Sequence, residues 1–304
     1  MKIKTLDKFK VVEGVRIPYF GGLLYRKVSK WENKAIRQFP TDGFHLNDKA
    51  RNEKITVSLT SYSKRINSVG YAIKSLFRQT VLPDRIILWL AEEERDNLVL
   101  PDLLKDLCEK GLEIRFCENL RSHKKYYFAL KEQKENELVI TYDDDIIYPE
   151  DSIERLYKTH IAFPDCIVCN RAEEVEIKDG KLAPYERWHV HSSVGVKKPS
   201  GRLFPSTGGG TLYPFKCLDK EVFNVDAIRE YAFSVDDLWI GFMAAKSGVK
   251  FIKTRKNYKP FSTIQESQVV GLQQENCFSG GNDKAIAVLS EKYPDALRNI
   301  LKND

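Results

Sequence analysis

From about residue 54 onward, short runs of apolar and β-branched residues alternate with stretches of helical periodicity. The runs KITVSLTSY, IILWL, LEIRFCENL and ELVITYDDD are each typical of a buried strand. Between them, apolar residues recur every three or four positions, as in SKRINSVGYAIKSLFRQ and SHKKYYFALKEQ. This alternation predicts an α/β fold whose mainly parallel sheet is flanked by crossover helices.

The same patterns divide the chain into parts. Residues 1–53 lack a clean periodicity, so we expect an N-terminal extension of short helices or loops that packs on the core. Residues 54–285 form the main domain, with a regular half at 54–150 and a less regular half at 151–285. A C-terminal helix is expected over 286–304. In the regular half, we expect Pro101 to break a helical stretch, Gly111 to end it and Ser122 to cap the next helix.

Composition and charge exclude several classes of protein. The 304 residues are 42% apolar and 30% charged, and the net charge of +6 is too small to indicate nucleic acid binding. The sequence has no run of about 18 apolar residues and does not begin like a secretory signal. We therefore expect a cytoplasmic protein with reduced cysteines. Basic and aromatic residues near the N-terminus would permit peripheral contact with the inner face of the membrane.

The most informative motif is the run Asp143, Asp144 and Asp145 after an apolar strand. Ligand sites in open α/β sheets lie beyond the carboxyl ends of strands. Since side chains alternate along a strand, Asp143 and Asp145 can face one way while Asp144 points elsewhere. Two carboxylates on one face suit Mg²⁺ or Mn²⁺, which can neutralise a diphosphate. The alternative is a solvated acidic turn, but three adjacent like charges repel and need a reason.

A second acidic pair, Asp236 and Asp237, opens the amphipathic stretch LWIGFMAAKSG. One of these carboxylates could act as a general base that deprotonates an acceptor hydroxyl. Acidic residues at a helix N-terminus also interact favourably with the helix dipole. Taken alone, the pair therefore favours the structural interpretation.

Three other segments carry weaker signals. The run STGGGTLYP allows a ligand to approach the backbone closely, or it forms a simple bulge or turn. Lys124 and Lys125 lie at the start of a helix, where they could face a phosphate or solvent. His189 and His191 could be metal ligands on a strand, but no third ligand is near in sequence, which favours an ordinary polar strand.

In this order and spacing, the motifs resemble the GT-A-fold glycosyltransferases, particularly bacterial inverting enzymes of the family-two type, over residues 54 to about 285. TYDDDIIYP is similar to the DxD motif of that family, which implies that Asp143 contacts the nucleotide and Asp145 binds the metal. GGGTLYP is similar to the glycine strand beneath the donor sugar. VDDLW is similar to the acidic pair that supplies the catalytic base, for which Asp237 is favoured and Asp236 is the alternative.

The resemblance also implies a set of donor-binding residues, which come from the nucleotide-binding first half of the fold and from the glycine strand beneath the donor sugar. These residues are Thr60, Tyr62, Arg65, Lys124, Lys125, Asp143, Asp144, Gly209 and Gly210. The sequence departs from the family in two places. LAEEE stands where the family has a D-G-S turn that reads the base, and the late metal histidine has no clear match, so Asn282 or Asp283 takes its place as a candidate.

The activity implied by the resemblance is transfer of a sugar from a nucleotide-diphosphate donor, with a UDP-sugar favoured, to a glycan or lipid-linked acceptor. The reaction would use Mn²⁺ or Mg²⁺, invert the anomeric carbon and serve surface polysaccharide biosynthesis, with no nucleic acid partner. A nucleotidyltransferase is the alternative enzyme, although TSYSKRINS lacks the Gly-rich loop expected after its first strand. A non-catalytic nucleotide- or sugar-binding module is the third possibility, and the presence of both acidic motifs disfavours it.

Overall fold

A central β-sheet is built from the alternating segments of the sequence. The computed structural model describes residues 9–12, 15–255, 261–264 and 280–302, with side chains from Tyr25 onward. The described strands are β1 (Phe9–Val12), β2 (Val15–Pro18), β3 (Lys54–Thr60), β4 (Arg85–Ala91), β5 (Leu112–Cys117), β6 (Glu137–Tyr142), β7 (Ile146–Ile147), β8 (Ile167–Cys169), β9 (Ala172–Glu174), β10 (Ile177–Lys178), β11 (Lys181–Leu182), β12 (Leu203–Pro205), β13 (Gly209–Tyr213), β14 (Phe251–Lys253) and β15 (Ser262–Thr263).

Helices connect these strands and cover the sheet. The described α-helices are α1 (Tyr19–Gln38), α2 (Ile66–Phe77), α3 (Asp102–Glu109), α4 (Lys124–Glu132), α5 (Ser152–Ala162), α6 (Val225–Ala227), α7 (Asp236–Ser247), α8 (Gly281–Lys292) and α9 (Pro294–Leu301). Residues of α2, α3 and α5 share one hydrophobic cluster with alternate residues of β3, β4 and β6. Residues of α4, α7, α8 and α9 form a second cluster with β12 and other sheet residues. Helices therefore pack on both faces of the sheet.

The strand order confirms the predicted α/β class. Within the described residues, the main sheet has seven strands in the order β14-β8-β13-β6-β3-β4-β5. β3 pairs in parallel with β4 and β6, and β4 pairs in parallel with β5, whereas β13 is antiparallel to both of its neighbours. The first strands of the chain add to one side of β3, in the order β4 and then β5, whereas β6 pairs on the opposite side of β3. This reversal creates a switch point between the carboxyl ends of β3 and β6, where ligands bind in open α/β sheets.

The N-terminal extension differs from the prediction. It contains a hairpin of β1 and β2 followed by α1, which is 20 residues long, instead of short helices or loops. Gly21 and Gly22 weaken the helical signal near its start, and the contacts that stabilise α1 lie far along the chain. Asn33 Nδ2 donates to Thr263 O at 2.8 Å. Helix α1 therefore contacts the β15 segment of the main domain.

Several local predictions can also be checked. Helix α3 begins directly after Pro101, and Gly111 has the φ of +107° that favours glycine after a helix. The assignment of Ser122 as a helix cap is wrong, because a 3₁₀ turn covers Arg121–His123 and α4 begins after it. The single C-terminal helix is two helices, since Pro294 begins a second one. Among the helices described, none combines the length and apolarity needed to cross a bilayer.

Candidate active site

The three aspartates occupy a turn beyond the carboxyl end of β6. The strand ends at Tyr142, so the expectation that the aspartates continue its alternation is wrong. Asp144 is nevertheless set apart from its neighbours, with a side chain 8% exposed against 40% for Asp143 and 21% for Asp145. The far end of the turn is fixed by the pairing of β7 with β15 and by a 2.7 Å hydrogen bond from Ile264 N to Asp145 O.

Arg65 and Ser61, which follow β3, hold one side of this turn. The Arg65 guanidinium lies 2.7 Å from Asp144 Oδ1 and 3.2 Å from Asp145 Oδ2, and Ser61 Oγ donates to Asp144 Oδ2 at 2.5 Å. Burial would lower the pKa of Arg65, but the two carboxylates outweigh it and raise that pKa. Burial raises the pKa of Asp144 in spite of Arg65 and Ser61. The switch point thus brings together the predicted residues Arg65, Asp144 and Asp145.

Lys125 joins the acidic turn to the second acidic pair. Its Nζ lies 2.6 Å from Asp143 Oδ1 and 3.0 Å from Asp236 Oδ2, and its side chain is 4% exposed. Burial would lower the pKa of Lys125, but Asp143 and Asp236 hold it well above the ordinary value. The ammonium therefore stays charged between the two motifs. The sequence predicted Lys125 as a phosphate ligand and gave no sign of this double contact.

Asp236 and Asp237 begin α7, and their surroundings shift their pKa values in opposite directions. Burial would raise the pKa of Asp236, but the Lys125 ammonium outweighs it and holds the pKa at about 2. Burial and the neighbouring Asp236 charge raise the pKa of Asp237 to about 7. Adjacent carboxyls whose environments separate their pKa values are typical of sites that move protons. Asp237 is thus the carboxyl suited to exchange a proton near neutral pH.

Thr207, in the turn before β13, contacts both carboxyls. Its Oγ1 lies 2.8 Å from Asp236 Oδ2 and 2.5 Å from Asp237 Oδ1, and its backbone N–H donates to Asp237 Oδ1 at 2.8 Å. A hydroxyl has one proton to donate, so it can donate to Asp236 while a protonated Asp237 donates to it. The sequence analysis missed Thr207, although it lies within the glycine segment that was singled out.

Gly208 was also missed, and it is the glycine that meets the acidic turn. A Cβ at this position would lie 1.6 Å from Asp143 Oδ2, so only glycine leaves room for the carboxylate. Gly208 O accepts hydrogen bonds from Asp143 N at 3.2 Å and from Tyr148 Oη at 2.6 Å. The glycine run therefore helps to place Asp143.

Gly209 and Gly210 are packed among protein atoms in β13. A Cβ on Gly209 would meet Arg171 Cβ at 3.0 Å, and one on Gly210 would meet Asn170 Nδ2 at 2.7 Å. Gly210 also has a φ of +95°, where the pairing of β13 with β6 shifts register. These contacts account for both glycines within the sheet, and their predicted contact with a donor stays a prediction.

The other predicted donor residues lie at the same edge of the sheet. Thr60 Oγ1 donates to Trp89 O at 2.8 Å, and Tyr62 precedes the short turn that leads to Arg65. Lys124 is buried, and burial lowers its pKa although the negative charges of Glu94, Glu93 and Asp144 act on it. Contact of these residues with a nucleotide stays a prediction.

A small cavity adjoins Asp237. Its volume is about 10 Å³, and its polar lining includes Glu173, Tyr185, Ser206 and Asp237. Burial raises the pKa of Glu173 in spite of Arg171 and a hydrogen bond from Tyr185. The space is the size of one water or hydroxyl group. No sequence motif distinguishes Glu173 or Tyr185, which reach Asp237 only through the fold.

The donor set of the acidic turn fits a hard divalent cation that is shared with a substrate. Among the described residues, no three His, Cys, Asp or Glu side chains lie close enough to hold a metal by themselves. Mg²⁺ commonly uses only one or two carboxylates together with substrate phosphates and water. Asp143 and Asp145 offer such carboxylates. Asp283 Oδ1 instead accepts from Tyr185 N at 2.8 Å, so it fixes the Tyr185 turn.

No protein-family model matches this chain, and no curated protein matches it. The solved structures similar to it include 4-diphosphocytidyl-2C-methyl-D-erythritol synthase from Anaerococcus prevotii, at 15% identity and a TM-score of 0.42 over 79% of this chain and 97% of that one. A second synthase of that name has 10% identity and a TM-score of 0.40 over 72% and 96%.

A mannosyltransferase from Pyrobaculum calidifontis, solved with GDP-mannose and Mn²⁺, has 13% identity and a TM-score of 0.41 over 92% of this chain and 83% of that one. TM-scores this low leave the activity of the chain to be argued from its own residues.

Proposed function

We propose that this protein is a metal-dependent glycosyltransferase that moves a sugar from a nucleotide-diphosphate donor to an acceptor hydroxyl with inversion. The observation that carries the proposal is the arrangement around Lys125. Lys125 contacts Asp143 in the acidic turn and also contacts Asp236. Asp236 is the neighbour of Asp237, whose pKa is about 7. This arrangement supports a diphosphate site next to a site of proton transfer.

The donor side of the proposed site is the acidic turn at the switch point. Asp145 and Asp143 would hold Mn²⁺ or Mg²⁺, which neutralises the charge that develops on a departing diphosphate. Arg65, Lys124 and Lys125 are the cations at this edge that would bind the phosphates. Arg65 and Gly208 act on the carboxylates themselves, since one pairs with Asp145 and the other leaves room for Asp143.

On the acceptor side, Asp237 is the proposed base. Its carboxylate takes the proton of the acceptor hydroxyl, and the acceptor oxygen forms a bond to the anomeric carbon while the bond from that carbon to the diphosphate breaks. Attack from the face opposite the diphosphate inverts the configuration. The cavity beside Glu173 and Tyr185 is the position we assign to the acceptor hydroxyl, because it is the size of such a group and adjoins Asp237.

The products of the reaction test this proposal. Purified protein would be incubated with UDP-, GDP-, CMP- and dTDP-sugars, with and without Mn²⁺, and the released nucleotide identified. Metal-dependent release of a nucleoside diphosphate (or of CMP from a CMP-sugar) is expected. In a parallel incubation with nucleoside triphosphates, release of pyrophosphate would instead identify a nucleotidyltransferase. Tight binding without release of any product would identify a non-catalytic module.

A matched pair of variants sharpens the same experiment. Asp145→Ala should abolish turnover while the protein still folds, because the turn is held by β6 and β7. Asp226→Asn removes a carboxylate from an exposed position and should leave turnover unchanged. Near-full activity of the Asp145 variant would contradict the metal assignment.

A further inference from the structure

Helix α1 has a solvent-exposed face with an unusual composition. Within its described side chains, the exposed residues are Arg26, Lys27, Val28, Lys30, Trp31, Lys34 and Gln38. Four of these seven are basic, and none is acidic. The single acidic residue between Tyr25 and Gln38 is Glu32, which is partly buried and accepts a hydrogen bond from Ser262.

The basic and apolar side chains of this face are arranged side by side. At 3.6 residues per turn, the basic residues lie along one flank, and Val28 and Trp31, one turn apart, lie along the other. Trp31 is 68% exposed and Val28 is 41% exposed. Lys27 and Lys34 stand one turn from Trp31 on either side. An indole on the surface, bordered by lysines, is typical of a helix that lies at a lipid interface.

The orientation of this face is fixed by the opposite side of the helix. Ser29, Asn33 and Ile36 are buried, and Ile36 packs in a cluster with Ala72, Ile147 and Ile264 of the main domain. Asn33 Nδ2 donates to Thr263 O at 2.8 Å, which ties α1 to β15. The exposed face therefore cannot turn inward to bury Trp31 without breaking these contacts.

We propose that this face of α1 docks on an anionic lipid bilayer. The exposed residues of this face that the structure describes are basic or uncharged, so its positive charge complements anionic headgroups. Each basic residue near such a surface strengthens binding by roughly fivefold. An acidic protein or a nucleic acid would also attract the basic residues. The exposed apolar residues Val28 and Trp31 favour a lipid bilayer, because its interior is apolar. The inference stands apart from the proposed chemistry, since it uses none of the site residues.

Docking would fix the position of the candidate site relative to the lipid. Thr263 accepts from Asn33 of α1, and the next residue, Ile264, donates to Asp145 O at 2.7 Å. The docked helix and the acidic turn are thus joined by two adjacent residues of one segment. Docking would therefore hold the acidic turn in a fixed position relative to the bilayer.

Co-sedimentation with vesicles tests the proposal. The full chain would be mixed with phosphatidylcholine vesicles that contain or lack phosphatidylglycerol, at physiological ionic strength. We expect binding only to the anionic vesicles. The double variant Lys27→Glu and Lys34→Glu should weaken that binding by at least about 25-fold. As a control, Lys178→Glu and Lys181→Glu change the net charge equally on the exposed hairpin of β10 and β11 and should bind nearly as the wild type does.

Trp31→Ala tests whether insertion of the indole into the lipid contributes to binding beyond charge attraction. The variant should bind vesicles more weakly. Its thermal stability should not fall, because the Trp31 side chain is exposed. Absence of wild-type binding to anionic vesicles, or equal losses in the α1 and hairpin variants, would overturn the proposal. Unchanged binding of the Trp31 variant would overturn the placement of the indole in lipid. Transfer activity in solution is measured separately, so failure of docking leaves the proposed reaction untouched.

Discussion

The acidic turn after β6 and the acidic pair at the start of α7 contain the same residue type in different surroundings. In the turn, a cation lies beside every carboxylate: Lys125 beside Asp143, and Arg65 beside Asp144 and Asp145. In the pair, Lys125 contacts Asp236 alone, and the partly buried Asp237 lies next to its charged neighbour. The difference shows that the partners of a carboxylate, more than its motif, decide whether it holds charge or exchanges protons.

The largest effect should come from removing the proton-exchanging member of the pair. We expect Asp237→Asn to lower kcat by about a thousandfold, within the range for loss of a general base, while donor affinity stays within about threefold. Asp236→Asn, the neighbouring carboxyl, serves as the comparison. If Asp237→Asn weakens donor binding and not turnover, Asp237 acts in donor binding, as the acidic turn is proposed to do. The two acidic regions would then not differ in function.

Lys125→Met should produce the next largest effect, this time on stability. It leaves the buried Asp236 and the partly buried Asp143 without their shared cation, which typically costs about 3 kcal/mol of unfolding free energy. Urea unfolding measures the change. Lys158→Met is the control, because Lys158 is 72% exposed and its pair should contribute less than about 1 kcal/mol. Equal effects of the two substitutions would show that Lys125 does not join the two regions.

Gly208→Ala should affect the turn and spare the pair. The added methyl would occupy the place of Asp143 Oδ2, so the carboxylate must move. We expect metal-dependent donor binding, measured by calorimetry, to weaken by roughly tenfold, as for loss of one well-placed charged contact. Gly43→Ala is the matched control, since a Cβ there meets nothing within 4 Å. If donor binding by Gly208→Ala is unchanged, the Asp143 carboxylate does not take part in donor binding.

The two carboxyls of the pair should also differ in how their contribution to stability depends on pH. The folded pKa of Asp237, about 7, lies above its value of 3.8 without the fold, so its stabilising contribution is complete below pH 3.8 and is lost as the pH rises through 7. Asp236, with a folded pKa of about 2, gives the opposite linkage and loses its contribution as the pH falls through 2.

Urea unfolding of metal-free protein at several pH values tests this. The wild type should lose stability between about pH 4 and pH 7 relative to Asp237→Asn, and turnover should rise with pH and level off above 7. Parallel stability curves for the two proteins would show that Asp237 does not titrate near neutrality.

The parallel half of the fold was readable from the sequence because its signals are local. Apolar periodicity marked α2, and Pro101 and Gly111 marked α3, so the carboxyl edge of the sheet and the acidic run on it could be predicted. The topology then explains why Arg65 meets Asp144, since β3 and β6 are neighbours in parallel.

The features of the site that could not be predicted from the sequence depend on contacts between distant segments. Lys125 approaches Asp236 across more than a hundred residues. Thr207 contacts Asp237 from the turn before β13, and Glu173 lines the cavity beside Asp237 from β9. Periodicity carries no information about such contacts. The alternation argument failed at Asp143 for a related reason: β6 ends at Tyr142, and the next strand, β7, pairs with β15 instead of continuing the main sheet.

The anchoring of the acidic turn at both ends has a consequence for the thermodynamics of ligand binding. β6 fixes its beginning, and the ladder of Ile146 and Ile147 with β15 fixes its end. A cation arriving there would meet carboxylates that are already in place, so little conformational entropy is lost on binding. The opposing cost is enthalpic, because the contacts of Lys125 and Arg65 with the carboxylates must weaken. Binding of the metal should therefore show a small unfavourable entropy of ordering, and its heat should depend on whether Lys125 and Arg65 are present.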